Sequence, residues 1–597
     1  MENLSRRNFL KGGALVAAGA AATAITGCSN EGAGDSLAET GAAEAGLRYT
    51  PSEPEDWDYE VEFLVLGCGI GGGSALVEAY DLGLDVMGVE KAPDMSNFTA
   101  CTWSGGALCG TGSETQLASE GDADSIELWM EDILRCGDEC GDPDIIRTWG
   151  EHSGLTIDWL QHRCGAEVLP ELRLSTEHTV RRSHNAVPYN GGYGWCRALE
   201  NTVTALGIPV LFETAATHLH RNAEGRVIGA EAQDLNSGQV INIKATKGVL
   251  LSTNHAGSNL DAWSYYSPIN RYMVQNTERY GSPYPLQILG DGPRMLDEVD
   301  GYQYPLQSLY GGDCIAVSPK GAGLSCFCHR WGNDASIWLN KDGKRWGKET
   351  FYEYYTERTW RQNDPKCYYV LVDDEFVKSD AGQENLQMII DTAEQTGYKE
   401  GFFCADTVEE VCEHFGINVE NAVKTLNDWN ALVESGGVDE EFGRGIEEGT
   451  KMGRPINKPP YWIFAPGLSI GTAKAGGRIT PKAEALDTQR NIIPGLYLCG
   501  EMASYQAMGS AHQHITGGCN SNSANFGRIA ARAAAGMSDE EADEIDRANI
   551  AKGPEGTPEY PQEWDRSANF LRSIELAESG KYEPVTWEYP AATESTY

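Results

Sequence analysis

The run Val61-Glu62-Phe63-Leu64-Val65-Leu66 breaks at once into Gly67-Cys68-Gly69-Ile70-Gly71-Gly72, and nothing else in the chain constrains its fold as strongly. An apolar strand that ends in glycines and opens a helix is the first half of a βαβ unit. Gly67 permits the tight turn, Gly69 lets backbone approach a pyrophosphate, and Gly72 allows close helix–strand packing, with Gly71 between them. The free N–H groups at the helix start then face phosphate. Glu90, followed by Lys91 at the tip of a second strand, is placed to hydrogen-bond a ribose hydroxyl. Glycine turns occur in many loops; the agreement of strand, spacing and distal acid is what makes this one a dinucleotide-binding signal.

Upstream, Ser5-Arg6-Arg7-Asn8-Phe9-Leu10-Lys11 precedes a weakly apolar stretch, Gly12 to Gly27, and the pair reads as a twin-arginine export signal. The stretch is too short and glycine-rich for a good transmembrane helix. Ile25-Thr26-Gly27-Cys28 resembles a lipobox, making Cys28 a candidate lipid anchor. Residues 29–57, rich in Ala, Gly, Glu and Ser, bury too little to fold and are expected to form a tether. Twin-arginine export carries folded proteins, which suits an enzyme that loads a nucleotide cofactor before leaving the cytoplasm.

With 597 residues the chain can hold two or three domains, and its net charge of -42 argues against a nucleic-acid partner. The 16 cysteines are scattered through apolar runs, the pattern of buried thiols rather than of a disulfide framework. Cys136-x3-Cys140 and Cys326-x-Cys328-His329 could ligate metal, but no paired C-x2-C repeat accompanies them, so no metal site is assigned. A C-x-x-C-H haem motif is absent from the sequence.

Beyond the βαβ unit come a loop from Asn97 to Gly112 and acidic helical stretches to about Gly165. Strand patterns follow at Ile208–Thr214 and Val240–Thr253, with a turn at Glu224-Gly225-Arg226, a succession resembling a three-layer ββα nucleotide domain. From 258 to 457 the pattern shifts to mixed helices, turns and aromatic clusters, an expected inserted domain. The first fold returns over 458–537, with Asn491–Glu501 as a turn and buried strand and Asn520–Ala535 as a small-residue helix behind Gly517-Gly518. Residues 538–597 read as an acidic tail with one helical stretch around Phe570–Ser579.

The residues from about Asp58 to Ala535 resemble the flavoproteins of the fumarate reductase and 3-ketosteroid dehydrogenase superfamily. Five landmarks in order carry the resemblance: the glycine fingerprint with Glu90-Lys91, Ser104-Gly105-Gly106, Gly225–Gly229, Gly290-Asp291-Gly292, and Leu339–Arg345. It implies an α/β fold, a glutathione-reductase-like, Rossmann-type FAD-binding domain in two parts (58–257 and 458–537) with an inserted α+β capping or substrate domain (258–457). It also implies FAD, with Glu90 on the adenosine ribose, Ala216 near adenine, Ser104-Gly105-Gly106 and Thr253 along the cofactor, Gly500-Glu501 near the ribitol, and Gly517, Gly518, Cys519 and Asn520 beneath the flavin pyrimidine. One departure lies at Ser252-Thr253-Asn254-His255, where the family usually has Ala-Thr-Gly-Gly; His255 there is either structural or catalytic.

Flavin hydride transfer to a C=C bond also needs a donor to polarise the substrate carbonyl, an acid for the second carbon, and a dry pocket. In the fumarate reductases these are cationic side chains. The positions corresponding to them here are Glu353, Ala473 and Ile515, so the dicarboxylate clamp is largely dismantled. The ketosteroid branch uses tyrosines, and Tyr352 falls three residues after Glu349, making it the candidate catalytic acid, with Tyr354 and Tyr355 close by. His514, with His512 as its substitute, could polarise the carbonyl, and the backbone N–H groups of Gly517-Gly518 could form an oxyanion site.

The expected function is thus exported, FAD-dependent hydride transfer between flavin and an α,β-unsaturated carbonyl compound, with reduction preferred. NAD(P)H is not available outside the membrane, so electrons would come from a separate membrane quinol or cytochrome donor. The alternatives are a ketosteroid-type dehydrogenase, a fumarate- or urocanate-type reductase, and a flavin electron-transfer subunit.

Overall fold

A computed structural model of the chain describes residues 51–597 apart from 120–122, 176–177, 188–190, 268–278, 283–286, 307–309, 326–330, 332–333, 350–367, 447–450, 470–472, 510–514, 556–563, 584–587 and 590–597. Its frame is an eight-stranded sheet assembled from both ends of the sequence. The first half contributes β1 (Tyr59–Leu66), α1 (Ile70–Asp81), β2 (Val86–Val89), the long helix α2 (Pro143–His162), β3 (Val210–Leu211), β4 (Thr214–Arg221), β5 (Val227–Asp234) and β6 (Val240–Leu251). The inserted region contributes β7 (Ile337–Leu339), β8 (Tyr369–Asp373), β9 (Phe402–Ala405) and β10 (Tyr461–Phe464). The last part supplies β11 (Glu484–Leu486), β12 (Ile492–Leu498), α3 (Gly518–Ala535), α4 (Asp539–Lys552) and α5 (Arg566–Glu578).

The sheet runs β11-β12-β6-β1-β2-β3, parallel except at β11, with β4 and β5 continuing antiparallel from β6. Val249 of β6 lies opposite Leu64 on one side and Leu496 on the other. Phe63 to Leu66 and Val249 to Leu251 have no exposure, as befits strands covered on both faces. This is the α/β, ββα architecture that the fingerprint implies.

Helices α1 and α3 cover one face, and small residues bring them together: a Cβ on Gly527 would lie 2.1 Å from the Gly71 carbonyl oxygen. The pair is locked by buried charge. Arg528 and Arg532 donate to Glu78 of α1 at 2.9 and 2.8 Å, and both also pair with Asp546 of α4. The segment past 537 is therefore built into the domain, and its described residues hold two helices where the sequence suggested one. Trp564 stacks on Tyr193 at 5.2 Å and donates to Asn97 at 2.9 Å, while Phe570 packs on Trp103.

Two further differences from the sequence reading have local causes. The alternating run Ile208–Thr214 pairs with β2 only at Val210 and Leu211, against Gly88 and Val89, because Glu213 at φ 50° turns the chain into β4, where Thr214 pairs with Asp234. The second sheet, ordered β7-β8-β10-β9, includes Tyr461–Phe464, beyond the expected boundary at 457. Val370 of β8 and Phe402 of β9 both face Phe464, so the sheet closes only when β10 returns between them.

Candidate functional site

The C-terminal ends of β1, β2 and β6 meet the N-termini of α1 and α3 around a cleft of about 950 Å³, open to solvent. Of the fingerprint glycines, Gly67, Gly69 and Gly71 line it and Gly72 does not. Gly72 is a packing residue: a Cβ there would sit 1.8 Å from the Gly67 carbonyl oxygen. Gly67, at φ +88°, turns the strand against Ser252, whose carbonyl oxygen would lie 2.6 Å from an added Cβ. A Cβ on Gly69 would find nothing nearer than the Thr99 side chain at 3.8 Å, so this backbone is bare to the cleft.

Glu90 lines the cleft with a buried carboxylate that accepts from the N–H groups of Cys68 at 2.7 Å and Ala92 at 2.8 Å. Burial pushes its pKa up, partly offset by those two donors. Lys91 also lines the cleft and is paired with Asp291 at 2.8 Å. Ala216, Thr253, Gly500, Glu501, Cys519 and Asn520 complete the predicted residues that the fold brings to this one cavity.

Ser104, Gly105 and Gly106 do not line the cleft, but the Asn520 side chain, which does, is bonded to this loop. Its amide donates to Ser104 Oγ at 3.0 Å and to the Ala107 carbonyl at 3.1 Å. Gly517, at φ +81°, caps α3 and accepts from the Cys109 N–H at 3.2 Å. The expectation for Gly518 needs correcting, because its N–H is donated to the Ile515 carbonyl at 2.8 Å and so is not free to meet an oxyanion. Tyr352 and His514, with His512, Glu353, Tyr354 and Tyr355, lie outside the described residues, as do Cys28, Cys326, Cys328 and His329.

The departure at Ser252–His255 has a conformational explanation. Asn254 takes φ +64°, the left-handed region that asparagine tolerates better than most side chains, and its own Oδ1 accepts the His255 N–H at 2.7 Å. His255 is turned away into a buried site against Tyr266, ring centroids 5.4 Å apart, and burial pushes its imidazole down to about 3. Glu501 is buried, which pushes its carboxyl up to about 7 against the pull of the Lys474 ammonium.

Sequence reasoning missed Thr99, Gln287, Asp291 and Ser523 in the lining. Asp291 was within reach, since it sits in the Gly290-Asp291-Gly292 landmark; Gln287, whose amide is tied to the Phe98 carbonyl at 2.7 Å, carries no sequence signal.

The cavity itself favours a bound group. Thr253 Oγ1 is buried in its wall and has no hydrogen-bond partner among the described residues, and Gly69 leaves backbone exposed where a side chain would intrude. These features suit a bound dinucleotide. The chain belongs to the FAD binding domain family, whose model matches residues 62–521, and FAD is its cofactor. It is a flavin-dependent oxidoreductase. Similar proteins include a urocanate reductase of Eggerthella lenta, 27% identical over 82% of this chain and 76% of that one, and a digoxin reductase of the same organism, 29% identical over 83% and 91%. A solved structure of the open conformation of a flavocytochrome c3 fumarate reductase shares the fold, with a TM-score of 0.66 at 24% identity over 80% of this chain and 79% of that one.

Residues 3–23 match the signal sequence of the twin-arginine translocation pathway, so the chain carries an export signal. Among the described residues no helix is long and apolar enough to cross a membrane. None of the 12 described cysteines is in a disulfide, and of these only Cys140 is exposed.

Proposed function

We propose that this exported flavoprotein reduces a C=C bond conjugated to an uncharged carbonyl, with steroid-like compounds or other enones as its substrate class. The observation that carries this reading is the apolar character of two buried positions. Ala473 is fully buried and Ile515 is 5% exposed, where the resemblance to fumarate reductases calls for cations. A dicarboxylate entering there would lose hydration worth several kcal/mol per charge without a charged fork to replace it. Urocanate and digoxin, the compounds named for two relatives, both carry a C=C conjugated to a carbonyl, and digoxin is uncharged.

FAD, held by the walls at Gly69, Glu90, Thr253, Glu501 and Cys519, supplies the hydride when bound. Tyr352 donates the proton to the second carbon. Its segment is entered from Glu349, a fully buried carboxylate clamped by Arg345 through two contacts of 2.7 Å, with Arg345 in turn held by Asp439 at 2.9 Å. His514 polarises the substrate carbonyl, and the Gly517 N–H assists it. Electrons arrive from a membrane quinol or a cytochrome on another chain, and Cys28 anchors the protein to the membrane.

The test is anaerobic. The FAD-loaded protein, reduced with a viologen dye, is offered a panel of unsaturated ketones and lactones. Reoxidation with formation of the saturated product supports the reading. If no unsaturated compound reoxidises the flavin, the reading falls and the electron-carrier alternative replaces it.

A further inference from the structure

One buried cation beside the cleft belongs to none of the roles above. Lys474 is only 6% exposed, and its ammonium donates to Cys519 Sγ at 3.4 Å. Cys519 lies in the first turn of α3 and lines the cleft, as does Glu501, the carboxyl group whose ionisation the same ammonium favours. Backbone fixes this corner. Ser504 Oγ donates to the Ala473 carbonyl at 2.5 Å and accepts the Ala475 N–H at 3.2 Å, gripping the chain on both sides of Lys474. A lysine ammonium withdrawn from water beside a cavity wall is costly, and the Glu501 carboxyl is one group that offsets the cost here.

We propose that Lys474 sets the reduction potential of the bound FAD from behind Cys519. The inference rests on the placement of the flavin pyrimidine over the start of α3. Uptake of two electrons and one proton leaves the cofactor one negative charge richer than in its oxidised form. The Lys474 charge and the N-terminus of α3 both favour that added charge, and in a largely dry wall they act more strongly than they would in water. Charge near the flavin ring is one of the means by which a protein tunes its electronics. Lys474 is thus a positioning charge for the redox state, not a group that handles substrate. Its effect is on how readily electrons enter from the donor.

The experiment is dye-equilibrated titration of the FAD midpoint potential in the purified holoprotein, compared with Lys474→Met and Lys474→Arg. The methionine variant keeps the side-chain length and removes the charge. Its reduced form should be stabilised at least tenfold less relative to the oxidised form, a negative shift of about 30 mV or more for a two-electron couple. Lys474→Arg should keep the wild-type potential. A methionine variant that binds FAD at an unchanged potential overturns the inference, and so does an arginine variant that shifts as far as methionine. If Lys474→Met does not fold, Lys474→Gln, whose amide can still reach Cys519, is judged by the same criterion. A shift seen in a protein that turns over no unsaturated carbonyl leaves this inference standing and removes the proposed function instead.

Discussion

Gly69 and Gly72 stand three residues apart in one turn of chain, yet a methyl group should do opposite things at the two. At Gly72 the new Cβ would sit 1.8 Å from the Gly67 carbonyl oxygen, a backbone atom that cannot swing aside. Gly72→Ala should therefore cost at least about 3 kcal/mol of stability, at the upper end of overpacking effects. At Gly69 the nearest atoms to a new Cβ are 3.8 and 3.9 Å away, both on the Thr99 side chain, and φ is already −64°, which alanine accepts. Two small terms oppose each other there: alanine caps a helix worse than glycine by about 0.5–1 kcal/mol, and it lowers the entropy of the unfolded chain by about 0.4–1 kcal/mol. The stability of the FAD-free Gly69→Ala protein should therefore stay within about 1 kcal/mol of wild type. The methyl group nevertheless enters the space where pyrophosphate would meet backbone, so FAD affinity should fall at least tenfold, or about 1.4 kcal/mol. Urea unfolding of the FAD-free proteins and titration of FAD by its fluorescence separate the two effects. A Gly69→Ala protein that binds FAD as tightly as wild type would refute the placement of the phosphates on this turn.

Asp546 is buried between Arg528 and Arg532, and removing it leaves two guanidiniums short of a partner. Asp546→Ala should cost about 3–5 kcal/mol in urea unfolding, showing that the segment after 537 is part of the domain. His178, His184 and His255 are buried, with imidazoles pushed down by burial to about 4, 4 and 3. The unfolded chain takes up their protons near pH 6.5 and the folded one does not, so stability is full above that pH and falls as pH drops toward 4. Each contributes a slope of up to about 1.4 kcal/mol per pH unit, and His255→Leu should flatten the pH dependence of the urea midpoint. Tyr352→Phe should lower turnover at least about tenfold with little change in FAD binding, and an unchanged rate would remove it as the acid.

The parts of this fold that could be read in the sequence are those whose causes are local. Gly67 must take a positive φ, the helix must start at Gly69, and an acid must end β2; each leaves its mark within a few residues. What could not be read depends on partners far away in the chain. The acidic run of α4 has the composition of a solvated tail, and only the arrival of Arg528 and Arg532, with Glu78 behind them, makes Asp546 a buried group. Tyr461–Phe464 reads as the start of a returning domain, and only its pairing with β8 and β9 ties it to the inserted sheet. Gly518 shows the same limit within the site, where a turn bond to Ile515 takes the N–H that the motif alone left open.

The proposed function has this flavin serve an uncharged carbonyl and not a dicarboxylate. It is tested most directly by the ratio of kcat/KM for an α,β-unsaturated ketone to that for fumarate, measured on one preparation with the same viologen donor. Loss of two charge-pairing partners predicts a ratio above about 100, from roughly 1.4 kcal/mol or more at each vacant position. A ratio at or below one would show that Ala473 and Ile515 do not exclude the dianion, and the account would fail at that point.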